Sequence, residues 1–261
     1  MVELREKRAE VRGKKTRYRT VGQSRQKILI LHGWGATSYS WRNVSYALAE
    51  KGFEAISLDL PGFGETPPPQ EAWGTDEYVD FIESFAKKIK LEKFHLLGHS
   101  FGGALALKFA VKKSFFVNKL VLCGAAAIRK ERLNSRQKLS QFLAKHAPKI
   151  ISKNPIYPLF EKITYRIAGA HDYYQANPMM KEIFKKIIIE DMSDLAKEVK
   201  KPCLIVWGEN DQVVPLADAF ELNNLIKNSE LKIIKGAGHN PHRTHCQELS
   251  QILIDFLRKN D

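Results

Sequence analysis

From residue 28 onward the chain alternates two hydrophobic patterns. Short apolar runs at Ile28–Leu31, Glu54–Leu58, Phe94–Leu97, Lys119–Cys123, Cys203–Trp207 and Leu231–Ile234 read as strands buried on both faces. Between them lie stretches with apolar residues every three or four positions. Trp41–Lys51, Asp76–Lys90, Ala104–Val111, a segment near Ala217–Lys227 and Glu248–Arg258 follow that helical spacing. In Asp76–Lys90 the buried stripe is Val79, Ile82, Phe85, Ala86 and Ile89. Strands alternating with crossover helices imply a parallel sheet covered on both sides. Two further strands come first, Leu4–Val11 and Thr16–Val21 around a turn at Gly13, so the sheet has eight strands and is mostly parallel.

The alternation stops between residues 125 and 192. That stretch is helical in pattern, punctuated by Pro148, Pro155, Pro158 and Pro178, and carries Phe142, Tyr157, Phe160, Tyr165, Tyr173, Tyr174 and Phe184. Because strands precede and follow it, it leaves the sheet and returns. A helical cap inserted at 125–192 into a core made of 1–124 and 193–261 is the expected organisation. Most of its aromatic residues are expected to pack among themselves, and a minority to line a pocket.

Composition narrows the classes. No apolar stretch approaches membrane-spanning length, and Met1–Lys15 is charged throughout, so neither membrane insertion nor a secretory signal is expected. Three cysteines cannot all pair, and Cys123 and Cys203 fall in strand runs. Buried free thiols in a reducing, cytoplasmic setting follow. The net charge of +13 is concentrated in residues 1–27, with ten Lys/Arg against three Glu, and 129–166, with ten against two. Neither segment shows a nucleic-acid motif or interleaved aromatics, so no nucleic-acid partner is expected. The basic hairpin instead reads as a charged guard on exposed sheet edges, with a basic contact surface as the alternative. The basic stretch 129–166 reads mainly as solvated helix faces, with steering of anionic substrates as the alternative.

The chemistry begins at Gly98-His99-Ser100-Phe101-Gly102, between the strand Phe94–Leu97 and the helix Ala104–Val111. A sharp strand-to-helix turn exposes the serine oxygen, and the helix N-terminus aims N–H groups at any developing oxyanion. A serine hydroxyl needs a base, and the base needs an acid to orient it. In an open α/β sheet both must lie beyond carboxyl strand ends. His239 does so, in Lys235-Gly-Ala-Gly-His-Asn-Pro241, with His242 as the alternative. His95 lies within a strand, His99 points away from Ser100, His146 and His171 belong to the insertion, and His32 suits loop shaping. Asp211 follows the strand Cys203–Trp207, with Glu209 as competitor, while Asp59 suits a structural role at its own loop. His239, His242 and His245 lack the carboxylate or cysteine that would complete a metal site, and no cofactor is implied.

Together, His32-Gly33-Trp34-Gly35, Asp59-Leu60-Pro61-Gly62-Phe63-Gly64, the serine block, Gly208-Glu209-Asn210-Asp211 and Gly238-His239-Asn240-Pro241-His242 resemble the α/β-hydrolase family. The resemblance implies an α/β-hydrolase fold with the triad Ser100, Asp211 and His239. It also implies an oxyanion hole from the backbone N–H groups of Trp34 and Phe101. Trp34, Phe101, Val213 and Val214 are the expected substrate-binding residues. Serine at the turn excludes the carboxylate-driven epoxide hydrolases and haloalkane dehalogenases. The blocks look like those of small capped carboxylesterases acting on small to medium esters. They are also similar to the carbon–carbon bond hydrolases of ring-fission pathways, which usually carry tryptophan just after the catalytic histidine, where this chain has Asn240-Pro241-His242-Arg243. Proline iminopeptidase relatives usually place tryptophan after the serine, where this chain has Phe101. A receptor-like binding protein of the same family is a third reading. A homodimer is the assembly left open.

Overall fold

The computed structural model describes residues 3–129 and 177–259. Eight strands form one sheet: β1 (Leu4–Val11), β2 (Lys14–Val21), β3 (Lys27–Leu31), β4 (Glu54–Leu58), β5 (Phe94–His99), β6 (Val117–Cys123), β7 (Cys203–Gly208) and β8 (Ser229–Ile234). Their order is β1-β2-β4-β3-β5-β6-β7-β8. The pairs β1/β2 and β2/β4 are antiparallel, and the rest are parallel. The expected α/β-hydrolase architecture is therefore present.

Side-chain parity divides the core. Leu29, Leu31, Ile56, Leu58, Leu96, Leu120, Ile205 and Trp207 face one side, beneath α2 (Thr75–Lys88) and α3 (Phe101–Lys112). Ile28, Ile30, Ala55, Leu97, Val121, Leu204 and Val206 face the other, beneath α1 (Arg42–Glu50) and a C-terminal helix, Cys246–Arg258. Period-two alternation within runs that are apolar throughout makes every strand position useful to one layer or the other.

Most of the expected insertion lies outside the described residues, including Phe142, Tyr157, Phe160, Tyr165, Tyr173, Tyr174, His146, His171 and the basic stretch beyond Arg129. Its return is described. Pro178 begins a helix, α4 (Pro178–Ile188), because its missing N–H and fixed φ suit the first turn; Asn177 Oδ1 accepts from Met179 N–H at 2.9 Å. Met180, Ile183, Phe184 and Ile187 bury into the same cluster as α2 and α3. The boundary at residue 125 is also no break in packing, since Ala125, Ala127 and Ile128 belong to that cluster. Downstream come α5 (Ser193–Ala196), α6 (Leu216–Leu225), α7 (Pro241–Thr244) and α8 (Cys246–Arg258).

The hairpin corrects one expectation. β1 is an exposed edge, as its charge implies, but β2 is covered and its arginines do more than guard an edge. Pairing of β2 with β4 brings Arg17 to the loop after β4, where Arg17 Nε donates to Asp59 Oδ2 at 2.7 Å. Ser38 N–H donates to Asp59 Oδ1 at 2.7 Å, and Arg19 is also buried beside this carboxylate. Burial pushes the Asp59 carboxyl up, but the Ser38 and Arg17 hydrogen bonds outweigh it and hold the group below its ordinary value. Asp59 thus anchors a loop, as its sequence setting suggests.

Candidate active site

The chain places the serine turn at the sheet's switch point. β3 and β5 are parallel neighbours with Leu31 opposite Gly98, so the loops leaving both strands emerge side by side. Ser100 stands between β5 and α3 with φ 52° and ψ −115°. For a non-glycine residue this conformation costs about 1–3 kcal/mol and persists only where the surroundings over-determine it. They do so here. Ser100 N–H donates to Cys123 O at 3.1 Å, and Ser100 O accepts from Gly103, Ala104 and Ala126 N–H at 2.9, 3.1 and 3.0 Å.

Two glycines make the turn sterically feasible. A Cβ on Gly98 would stand 2.1 Å from Gly102 O, and one on Gly102 would stand 2.3 Å from Leu31 O. Strand, turn and helix touch through bare backbone. On the neighbouring loop, a Cβ on Gly33 would lie 3.2 Å from Ser100 Cβ, which brings the residues around Trp34 against the serine.

Asp211 and His239 come together from the loops after β7 and β8. His239 Nδ1–H donates to Asp211 Oδ2 at 2.8 Å, and both groups are buried. A carboxylate accepts the bond, so Nδ1 carries the proton and Nε2 keeps its lone pair. Asp211 Oδ1 meanwhile accepts from Val213 and Val214 N–H at 2.8 and 2.9 Å. The aspartate is therefore both the turn-former its Asn-Asp setting suggests and the histidine's partner. Gly124, at the end of β6, passes close enough that a Cβ would lie 3.4 Å from His239 Cε1 and 3.5 Å from Asp211 Oδ2.

The competing candidates have other partners. Glu209 is exposed and accepts from Gly236 N–H at 2.9 Å. His242 stacks on Trp41, with ring centroids 4.5 Å apart and planes 10° apart. Burial, with lesser contributions from Arg243 and His239, pushes His242 down to about 3. His32 shapes its loop, donating from Nδ1 to Gly33 O at 2.7 Å and accepting Leu60 N–H on Nε2 at 3.1 Å.

The third link, Ser100 to His239, is not formed; the Ser100 hydroxyl makes no hydrogen bond to another described residue. The backbone N–H groups of Trp34 and Phe101 likewise donate to no described residue. For Phe101 this follows from its place at the start of α3, where the first amides have no intrahelical acceptor. Over this corner the Trp34 ring meets Phe63, Phe101 and Phe184 edge-on, with centroids 4.9, 5.5 and 4.8 Å away. Val214 is buried and Val213 partly so. The contact from Phe184 was not legible in sequence, and neither was His99, whose Nε2 lies 2.8 Å from His239 O. Among the described residues no group of three His, Cys, Asp or Glu is placed to hold a metal ion, and no helix is long and apolar enough to cross a membrane.

A profile of the alpha/beta hydrolase fold matches residues 27–154. The chain is 28% identical over 258 residues to the 2-hydroxy-6-oxononadienedioate/2-hydroxy-6-oxononatrienedioate hydrolase of Escherichia coli strain K12, spanning 91% of this chain and 89% of that protein. It is similar to a serine hydrolase involved in carbazole degradation (25% identity, TM-score 0.73, 98% and 99% of the two chains). A bromoperoxidase from Bacillus anthracis shares the fold (22% identity, TM-score 0.76, 98% and 100%). By its sheet order, its serine turn and these relationships, the chain has the α/β-hydrolase fold and is similar to hydrolases built on it.

Proposed function

We propose that this protein is a serine hydrolase that cleaves small to medium carboxylic esters through an acyl-enzyme on Ser100. The observation that carries the reading is the Asp211–His239 hydrogen bond of 2.8 Å on loops beside the strained Ser100 turn. In this mechanism His239 Nε2 takes the Ser100 hydroxyl proton as Oγ attacks the ester carbonyl. The charge that develops on the carbonyl oxygen is received by the Trp34 and Phe101 N–H groups. Asp211 keeps the Nδ1–H tautomer and stabilises the imidazolium. The tetrahedral intermediate collapses as His239 gives its proton to the departing alkoxide. Water, deprotonated by His239, then attacks the acyl-enzyme and releases the acid and free Ser100. The rings of Trp34 and Phe101 and the side chains of Val213 and Val214 form the apolar wall for the substrate.

Carbon–carbon bond hydrolysis of a vinylogous diketone is the second reading. It is favoured by the 28% identity to the Escherichia coli hydrolase and the likeness to the carbazole-degradation hydrolase. Asn240-Pro241-His242 in place of a tryptophan after His239 supports the ester reading over it. The test is a p-nitrophenyl ester series of increasing acyl length beside a vinylogous 1,5-diketone, each with Ser100→Ala as control. Multiple ester turnovers lost in Ser100→Ala support the esterase. A higher kcat/KM on the diketone supports the second reading, and one slow turnover without release supports a binding protein.

A further inference from the structure

The residue before the serine faces the residue proposed as its base. His99 ends β5, and side-chain parity sends it to the same side of the sheet as Leu97, away from Ser100 and toward α1 and α8. On that side the chain returns from β8, and His99 Nε2 reaches His239 O at 2.8 Å. A carbonyl oxygen only accepts, so His99 must carry its proton on Nε2 and donate. The other nitrogen, Nδ1, is then a bare acceptor, buried and without a hydrogen-bond partner among the described residues.

The surroundings keep this imidazole in one state. Its ring lies 4.8 Å from the His239 ring, 4.8 Å from the His242 ring and 6.0 Å from Trp41. The titratable groups that act on it are His239, His242 and His32, with Arg243 beyond on His242. No carboxylate is among them. Burial, then His242 and His239, holds His99 well below the ordinary histidine value. A neutral His99 adds no positive charge beside His239 when that ring must become an imidazolium.

We propose that His99 is a positioning residue: its Nε2–H clamps the His239 carbonyl, tying the serine turn to the base loop and setting the distance across which Ser100 gives up its proton. The inference rests on the esterase reading above. It assigns a role to the side chain at the second position of the Gly-x-Ser-x-Gly turn. Loss of the clamp would let the base loop drift while the Asp211–His239 bond and the substrate wall stay in place, so the deficit belongs in kcat rather than KM. A misplacement on the order of 1 Å at such a site costs up to about a hundredfold.

The experiment compares wild type, Ser100→Ala, His99→Leu, His99→Gln and His99→Asn on one p-nitrophenyl ester, with kcat, KM, pH profile and thermal midpoint for each. A glutamine amide N–H can stand near the position of Nε2; the shorter asparagine cannot reach it. The expected result is a fall in kcat of about ten- to a hundredfold in His99→Leu and His99→Asn, KM within about twofold, and recovery in His99→Gln. The acid limb of the kcat/KM profile should move in the leucine and asparagine variants and return in the glutamine variant. Equal kcat in His99→Gln and His99→Asn overturns the proposal, and that pair decides the matter if His99→Leu fails to fold. Unchanged kcat in a folded His99→Leu also overturns it. If wild type shows no turnover that depends on Ser100, it is the esterase reading that fails.

Discussion

Asp211 spends its two oxygens on different tasks. Oδ2 accepts from His239 Nδ1–H at 2.8 Å, while Oδ1 accepts the N–H groups of Val213 and Val214. One carboxylate therefore fixes both a loop and a tautomer, and substitutions can separate the two. Asp211→Asn can keep its carbonyl on the valine amides but presents an amide N–H to Nδ1, forcing the proton to the wrong nitrogen. On p-nitrophenyl esters its kcat should fall by about 10⁴ with little change in thermal midpoint. Asp211→Ala should lose both activity and stability. An Asn variant with near wild-type kcat would remove Asp211 from the mechanism.

Backbone contact at the serine turn sets a second expectation. Gly98→Ala would place a methyl 2.1 Å from Gly102 O and 2.6 Å from Ala106 Cβ. Neither neighbour is a flexible side-chain tip, so the strand and helix must part. Urea unfolding should show a loss on the order of 3 kcal/mol, near the upper range for overpacked cores, together with loss of ester turnover. A variant as stable as wild type would mean that the close approach of β5 and α3 is not needed.

Three buried histidines make stability fall with acid. Burial is the main cause holding His32, His99 and His242 below their ordinary value, His242 down to about 3. Below about pH 6.5 the unfolded chain binds protons at these positions that the folded chain does not. Stability is therefore complete above pH 6.5 and is lost as pH falls below it, with a limiting slope of about 4 kcal/mol per pH unit for three groups. For His242 the loss ends near pH 3. Urea midpoints measured between pH 7.5 and 5 should show this decline, and His242→Phe should lower the slope by about a third. A flat profile across that range would mean that these rings are protonated in the folded state.

At Asp59 the expected loss is one of stability. Replacing it by alanine removes the buried carboxylate that Arg17 and Arg19 share, leaving them only Glu6 and Glu65, and leaves Ser38 N–H without an acceptor. Unfolding at pH 7 should cost about 3–5 kcal/mol less than in wild type. Retained stability would show that Glu6 and Glu65, which also pair with Arg17, suffice.

The legible and illegible parts of this site differ in sequence distance. The strands around Ser100 could be read because buried parallel strands are apolar throughout and the flanking glycines mark the turn. Asp211 and His239 followed from topology, since each lies just past a strand end. What could not be read were contacts set by pairing partners and returning loops. Arg17 meets Asp59 because β2 pairs with β4, and no pattern within β2 announces that neighbour. His99 was rightly expected to point away from Ser100, yet the loop after β8 passes through the space it points into. Phe184 reaches Trp34 because α4 packs into the main core, although its aromatic-rich setting suggested a separate one.

Acylation of Ser100 is the step on which the proposed ester hydrolysis turns. The most direct measurement is stopped-flow release of p-nitrophenol, followed by intact-protein and peptide mass spectrometry on acid-quenched samples. Acylation of Ser100 predicts a burst close to one equivalent per chain when deacylation is slow, with the acyl mass on the peptide containing Ser100 and neither burst nor adduct in Ser100→Ala. Ester turnover that persists in Ser100→Ala, or an adduct on another residue, would contradict it.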